Sequence, residues 1–186
     1  MSIVRAKLTS SEPKYGRMPR VFWFVLAAML VVWLIMNLGT APRIEEMAGG
    51  LRLLDMRLTG YSFDDARNFV AALGSAGIAL YLNLQLWLDT LFPPLLGAIL
   101  FMSFRWLYPG WPGVVIGTLS LSSIAVDYLE NAAIAAMLRV GPDGMTGEMA
   151  AAASQWTTLK WSLSLIGLVA LLVGFAVRLR RRWGAG

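Results

Sequence analysis

The chain contains no cysteine and no histidine, and only 15% of its residues are charged. Each scarcity closes off chemistry. Without cysteine there is no disulfide framework and no thiolate metal site. Without histidine the commonest general base and the commonest metal ligand are missing. Most intramembrane metalloenzyme designs are thereby excluded, and neither a metal nor a cofactor is expected. No Gly-rich phosphate loop, Ser-His-Asp set or metal-spaced cluster is present either. The residues that are abundant are apolar. Of 186 residues, 58% are hydrophobic, against about 45–50% in ordinary soluble domains. The excess is gathered into runs, which is the signature of membrane segments. The length suits one compact bundle and leaves no room for a second sizeable domain.

The net charge is +5. Its carriers gather at the two ends of the chain, beside apolar segments. That arrangement reads as topology control and contact with anionic lipid headgroups rather than nucleic-acid binding.

Four apolar runs are long enough to cross a hydrocarbon core of roughly 30 Å. The first, Val21 to Leu38, is rich in Trp and Phe and ends in Asn-Leu-Gly-Thr. It lacks the Ala-x-Ala-like site of a cleaved signal, so it reads as a span. The second runs from about Gly77 to Phe104 and contains Pro93 and Pro94. Two missing backbone donors predict a kink near Asp89–Thr90, with freed carbonyls that neighbours, side chains or water must satisfy. A tight aromatic loop, RWLYPGWPG, leads to a third span at about Val114 to Leu138. Residues 139–155 read as a short loop, with at most a helical turn in the Ala-rich part. The fourth span, about Trp156 to Val177, is closed by RLRRRW. The predicted fold class is therefore an all-α, four-transmembrane-helix bundle. Basic tails occupy 1–20 and 181–186, and the membrane domain occupies 21–180.

Between the first two spans the chain is mixed. Ser62, followed by Asp64 and Asp65, is a helix start with a capping hydroxyl and first-turn acids. A short surface helix is predicted there, with Phe69, Val70 and Leu73 on one face. Arg52, Asp55 and Arg57 are expected to be solvated or paired at the surface. Basic tails at both ends and an even span count place both termini in the cytoplasm. The expected location is the cytoplasmic (bacterial inner) membrane, with the 41–75 segment outside.

Asp89, Asp127, Glu130 and Lys160 fall inside the spans, where ionisable groups are costly and mark a functional site by default. At about 1.5 Å of rise per residue, Asp89, Glu130 and Lys160 each lie about 24 Å from the cytoplasmic side, with Asp127 one turn lower. Asp127, Glu130 and Asn131 share a helix face that should point into the bundle. Asn83 and Gln85 lie above on the second span. These seven residues are the ligand-binding candidates. A Glu130–Lys160 pair would neutralise itself and fix helix register, a structural role of modest strength. Three acids and one base exceed what register needs. The surplus carboxylates point to ligand binding, or to a protonated carboxyl acting as a general acid or proton carrier. Of the eight tryptophans, most read as interfacial belts, and Trp87 and Trp161 read as packing. The small residues of Gly117 to Ser123 read as close helix packing.

Three stretches, DMRLTGYSFDDARNFVAALGSAGIALYLNLQLWLDTLFP (55–93), VDYLENAAIAAML (126–138) and TLKWSLSLIGL (158–168), resemble a group of small bacterial four-span membrane proteins of unassigned function. In that group a Tyr and an LD-x-x-FP element precede D-x-x-E-N and T-x-x-K-W elements. The resemblance covers about half the chain. It implies that Asp89, Pro93, Asp127, Glu130, Asn131 and Lys160 belong to one unit, and it brings no activity with it. The layout is also similar to sterol-isomerase-like four-helix bundles, whose acids sit in a membrane cavity, by architecture alone.

The leading expectation is a membrane protein that binds a lipid-like or amphiphilic ligand, with Asp89 and Glu130 engaging its polar part. In an enzymatic version one carboxylic acid would protonate a substrate while the other carboxylate accepts a proton. The rivals are a non-catalytic subunit or assembly factor with a membrane-protein partner, and a proton or ion pathway. Membrane lipids are the expected surroundings in every case, and nucleic acid is not an expected partner.

Overall fold

The apolar runs become four long helices in the computed structural model, which describes residues 18–183. They are Arg20–Met47, Phe63–Leu107, Trp111–Gly144 and Gly147–Arg181. Each is long and apolar enough to cross a membrane, and no strand occurs among the described residues. Helix is the form that satisfies every backbone group internally when lipid can satisfy none. The protein is an all-α, multi-pass membrane bundle. Residues 1–17 of the basic amino-terminal tail and residues 184–186 lie outside the described region.

The helices are longer than the hydropathy alone predicts. The first continues past Leu38 to Met47 through a π-turn at Met36–Thr40. Pro42 lies in the first turn of the following segment, Ala41–Met47. A widened turn accommodates the hydrogen bond that proline cannot make. The fourth helix begins at Gly147 rather than Trp156. Thr146 accepts a hydrogen bond from the Met149 N–H at 3.2 Å, and the alanines that follow favour helix strongly. Ala150 and Ala153 are buried in the core, so the stretch expected to be a loop is a packed part of the bundle. At its other end this helix runs on to Trp183, which makes the backbone of residues 181–183 helical.

The second helical segment is two pieces. Ser62 and Asp65 form a reciprocal capping box: the Asp65 N–H reaches Ser62 Oγ at 3.1 Å, and the Ser62 N–H reaches Asp65 Oδ2 at 3.0 Å. The chain then breaks at Gly74, which has φ +64 and ψ 178, a conformation that glycine alone adopts cheaply. Residues 63–73 thus form the short helix expected from the sequence. Its apolar face, Ala66, Phe69, Val70 and Leu73, is buried against Ile44, Leu53, Leu54, Met137 and Leu138.

Core packing is concentrated at this end of the bundle. Ile44, Leu53, Leu54, Phe69, Tyr81, Ile134, Met137 and Leu138 are all essentially inaccessible and form one cluster. The opposite end holds the 108–110 turn and the two chain ends, and is stitched more locally. Tyr108 donates to the Ala170 carbonyl at 2.6 Å, and Arg178 stacks 3.4 Å above the Trp106 ring while donating to the Trp106 carbonyl at 3.0 Å. A Cβ on Gly117 would lie 2.9 Å from the Phe101 ring, so glycine there permits the close approach of the second and third spans.

Candidate functional site

The prolines of the second span organise the site. Pro93 cannot donate to the carbonyl of Asp89, and Pro94 cannot donate to that of Thr90. Both orphaned carbonyls are met from the third span. The Asn131 side-chain amide donates to the Asp89 carbonyl at 3.4 Å, and the Tyr128 hydroxyl donates to the Thr90 carbonyl at 3.0 Å. The expected requirement for neighbours to satisfy these groups is therefore fulfilled by two side chains of the D-Y-L-E-N stretch. This fixes Asp89 against the third span.

A second device fixes the other side of Asp89. The second span has a π-turn at Tyr81–Gln85, facing the π-turn of the first span. The Thr40 hydroxyl donates to Gln85 Oε1, and Gln85 Nε2 donates to Asp89 Oδ2 at 3.2 Å. Thr40 and Gln85 are both buried. Two π-turns in contact are unusual, and single π-turns are frequent at functional sites.

Lys160 reaches in from the fourth span. Its ammonium is in direct contact with Glu130 Oε2 and lies 3.9 Å from Asp127 Oδ1. Glu130 is completely buried. Asp127, Glu130 and Lys160 thus meet, and Asp89 lines the same cavity as Asp127 and Lys160. A buried pair of this kind resists removal of one partner, because the other is left uncompensated. Tyr61 and Thr157 lie near Glu130. Burial holds the Tyr61 phenol above its usual range, so it is a neutral hydroxyl at any ordinary pH.

One carboxylate was not expected here. Asp55 belongs to a short turn, Leu54–Met56, in the segment between the first and second spans. It was anticipated at the solvated surface, but it is 6% exposed. Its Oδ1 accepts from the Tyr81 hydroxyl at 3.1 Å, and its backbone carbonyl accepts from the Trp161 indole at 3.0 Å. Fully buried Leu53 and Leu54 pull the turn inward. The next stretch is pinned to the fourth span: the Tyr61 N–H bonds Ser154 Oγ at 2.8 Å, and a Cβ on Gly60 would lie 3.0 Å from Thr158 Oγ1. The loop thereby closes over the polar layer and adds a carboxylate to it.

The remaining candidates divide. Gln85 is central. Asn83 is exposed and donates to the Ala79 carbonyl at 2.8 Å. Residues two apart on a helix do not share a face, so Asn83 and Gln85 cannot both point inward. Trp87 is 68% exposed, so the packing role expected for it is not met within the bundle. Trp161 lines the cavity, which corrects its expected role as simple packing.

These groups surround a cavity of about 440 Å³ lined by Asp55, Gln85, Asp89, Asp127, Lys160 and Trp161, with Asn37 from the first span and Arg52 at the rim. A second, apolar cavity of about 580 Å³ lies below it, between Leu100, Phe104, Ile116, Leu119, Leu163 and Leu171. The two share Leu96, Asp127 and Ser164 as lining residues. Among the described residues no three carboxylates converge closely enough to hold a metal ion.

Fold and site together define a class: a four-span helical membrane protein with a carboxylate-lined cavity adjoining an apolar groove. No family model, curated protein or solved structure matches the chain.

Proposed function

We propose that the protein binds a lipid-like or amphiphilic molecule within the bundle. The reading is carried by one observation: the polar cavity and the apolar groove meet at Leu96, Asp127 and Ser164. A molecule with a polar head and a hydrocarbon tail matches that sequence of surroundings. Lipid pockets of this kind are largely apolar, with a few placed polar groups that fix orientation. Asp89, held by Gln85 and by the Asn131 contact to its backbone, engages the head. Glu130 is redirected from its expected ligand role to holding Lys160, since it is sealed from the cavity.

We propose a bacterial cytoplasmic membrane as the location of the bundle, and the positive-inside rule supports both termini inside. The polar cavity then lies in the outer half, and the groove descends toward the inner leaflet. The resemblance of the LD-x-x-FP, D-x-x-E-N and T-x-x-K-W elements to small four-span membrane proteins extends the same proposal to that group.

The test is mass spectrometry of lipids retained by protein purified from native membranes, compared with Leu96→Trp. A bulky ring at the junction is expected to abolish retention of a specific long-chain amphiphile while leaving thermal unfolding within a few degrees of wild type. Unchanged retention, or the absence of any specific amphiphile from the wild-type protein, contradicts the reading. The rival role, as a subunit whose charges only set helix packing, has in its favour the sealed Glu130–Lys160 contact. It predicts that Asp89→Asn leaves function intact.

A further inference from the structure

The charges around the cavity are unequal, and the inequality selects a head group. Asp55, Asp89 and Asp127 line it, against Lys160 and the rim residue Arg52. Lys160 is already engaged by fully buried Glu130 and by Asp127. Arg52 is exposed, where water weakens its influence on the interior. Asp55 and Asp89 form no direct ion pair among the described residues, and they share the field of Lys160 with two carboxylates that contact it. Each has one oxygen bonded to a neutral donor, Tyr81 for Asp55 and Gln85 for Asp89. The other oxygen of each accepts no hydrogen bond from any described residue. Asp55 is buried and Asp89 half-buried, and both line the same cavity. Buried charge of one sign is costly unless paired, and the apolar groove below supplies no counter-charge.

We propose that the amphiphile carries a cationic head, a primary amine or ammonium group, seated between Asp55 and Asp89. This rests on the amphiphile reading above and names its ligand class. An ammonium with three donors satisfies both free oxygens at once. The indole of Trp161 and the ring of Trp33, also in the wall, suit a cation through their π faces. The tail follows Leu96 into the groove.

The experiment is native mass spectrometry of the full-length protein in a neutral maltoside detergent, with dodecylamine, dodecanol and dodecyl sulfate offered at equal concentrations. The chain is constant and only the head varies. Dodecylamine is expected to bind at least about tenfold more tightly than the other two, and the preference is expected to fall to near parity in Asp89→Asn and in Asp55→Asn. Asp89→Asn and Asp55→Asn are nearly isosteric, and retained dodecanol binding shows that each variant is folded. Equal binding of all three heads by the wild-type protein overturns the cationic assignment and leaves the amphiphile reading standing. A preference for dodecyl sulfate overturns the assignment as well. Binding of none of the three overturns the amphiphile reading itself.

Discussion

The two ends of the bundle are built differently. At the end that carries residues 48–62, side chains from all four spans and the intervening turn interdigitate into one sealed cluster, with Ile44, Leu53, Leu54, Phe69, Met137 and Leu138 inaccessible. At the end that carries the chain termini, the helices touch through a few aromatic and glycine contacts and leave a groove of about 580 Å³. The charged layer lies between the two. A tightly packed end can hold ionisable groups at fixed geometry, as preorganised sites require. A loosely packed end can admit a flexible chain. The comparison teaches that order and openness are separated along the bundle axis, and that Asp127 and Leu96 stand at the boundary.

The largest expected effect comes from breaking the boundary. Lys160→Met leaves Glu130 buried without its cation and is expected to cost about 3–5 kcal/mol. Denaturation in detergent measures it. The double variant Lys160→Met with Glu130→Leu is expected to recover most of that loss, because apolar residues replace a buried pair at little cost. A double variant as unstable as the single would mean that the pair does more than neutralise itself.

Two alanine substitutions then set one end against the other. Phe69→Ala is expected to cost about 3–5 kcal/mol, as a cavity in a packed core does. Leu163→Ala in the groove is expected to cost about 1 kcal/mol or less, because its site is already open. Equal losses would erase the proposed difference between the ends.

A smaller effect sharpens the account of the proline pair, which lies within one continuous helix, Leu86–Leu107, rather than at the expected kink. Asn131→Ala should cost roughly 0.6–2 kcal/mol, the range for side-chain hydrogen bonds between membrane helices. In a Pro93→Ala background position 93 regains an N–H for the Asp89 carbonyl, so the same substitution should cost close to nothing. A double-mutant cycle reads the coupling, and its absence would detach Asn131 from the prolines. Smallest is Ser62→Ala, which removes one half of the capping box for about 1 kcal/mol. It should leave amphiphile retention unchanged, since Ser62 lies outside the cavity lining.

Much of this was legible in the sequence. Span number, the Ser62 start and the convergence of Asp127, Glu130 and Lys160 follow from apolar run length, capping chemistry and helical rise. These are local or periodic signals. Helix ends were less legible: the first apolar run stops at Leu38 while a π-turn carries the helix past Pro42 to Met47, and the alanines near 150 belong to the fourth helix rather than to a loop. The inward turn at Asp55 left no signal. It sits between Arg52 and Arg57, in a charged stretch without periodicity, and only the burial of Leu53 and Leu54 by distant helices draws it in. Within the second span, helical spacing could have chosen Gln85 over Asn83, because Gln85 and Asp89 are four apart and share a face.

The central claim is that a single amphiphile occupies the polar cavity and the groove together. The most direct measurement is an electron-cryomicroscopy map of the protein extracted with its native lipids. The account predicts one elongated density whose head lies beside Asp89 and whose tail passes Leu96 to end between Ile116 and Leu163. A well-resolved map with both cavities empty, or with lipid density confined to the outer surface of the helices, would contradict it.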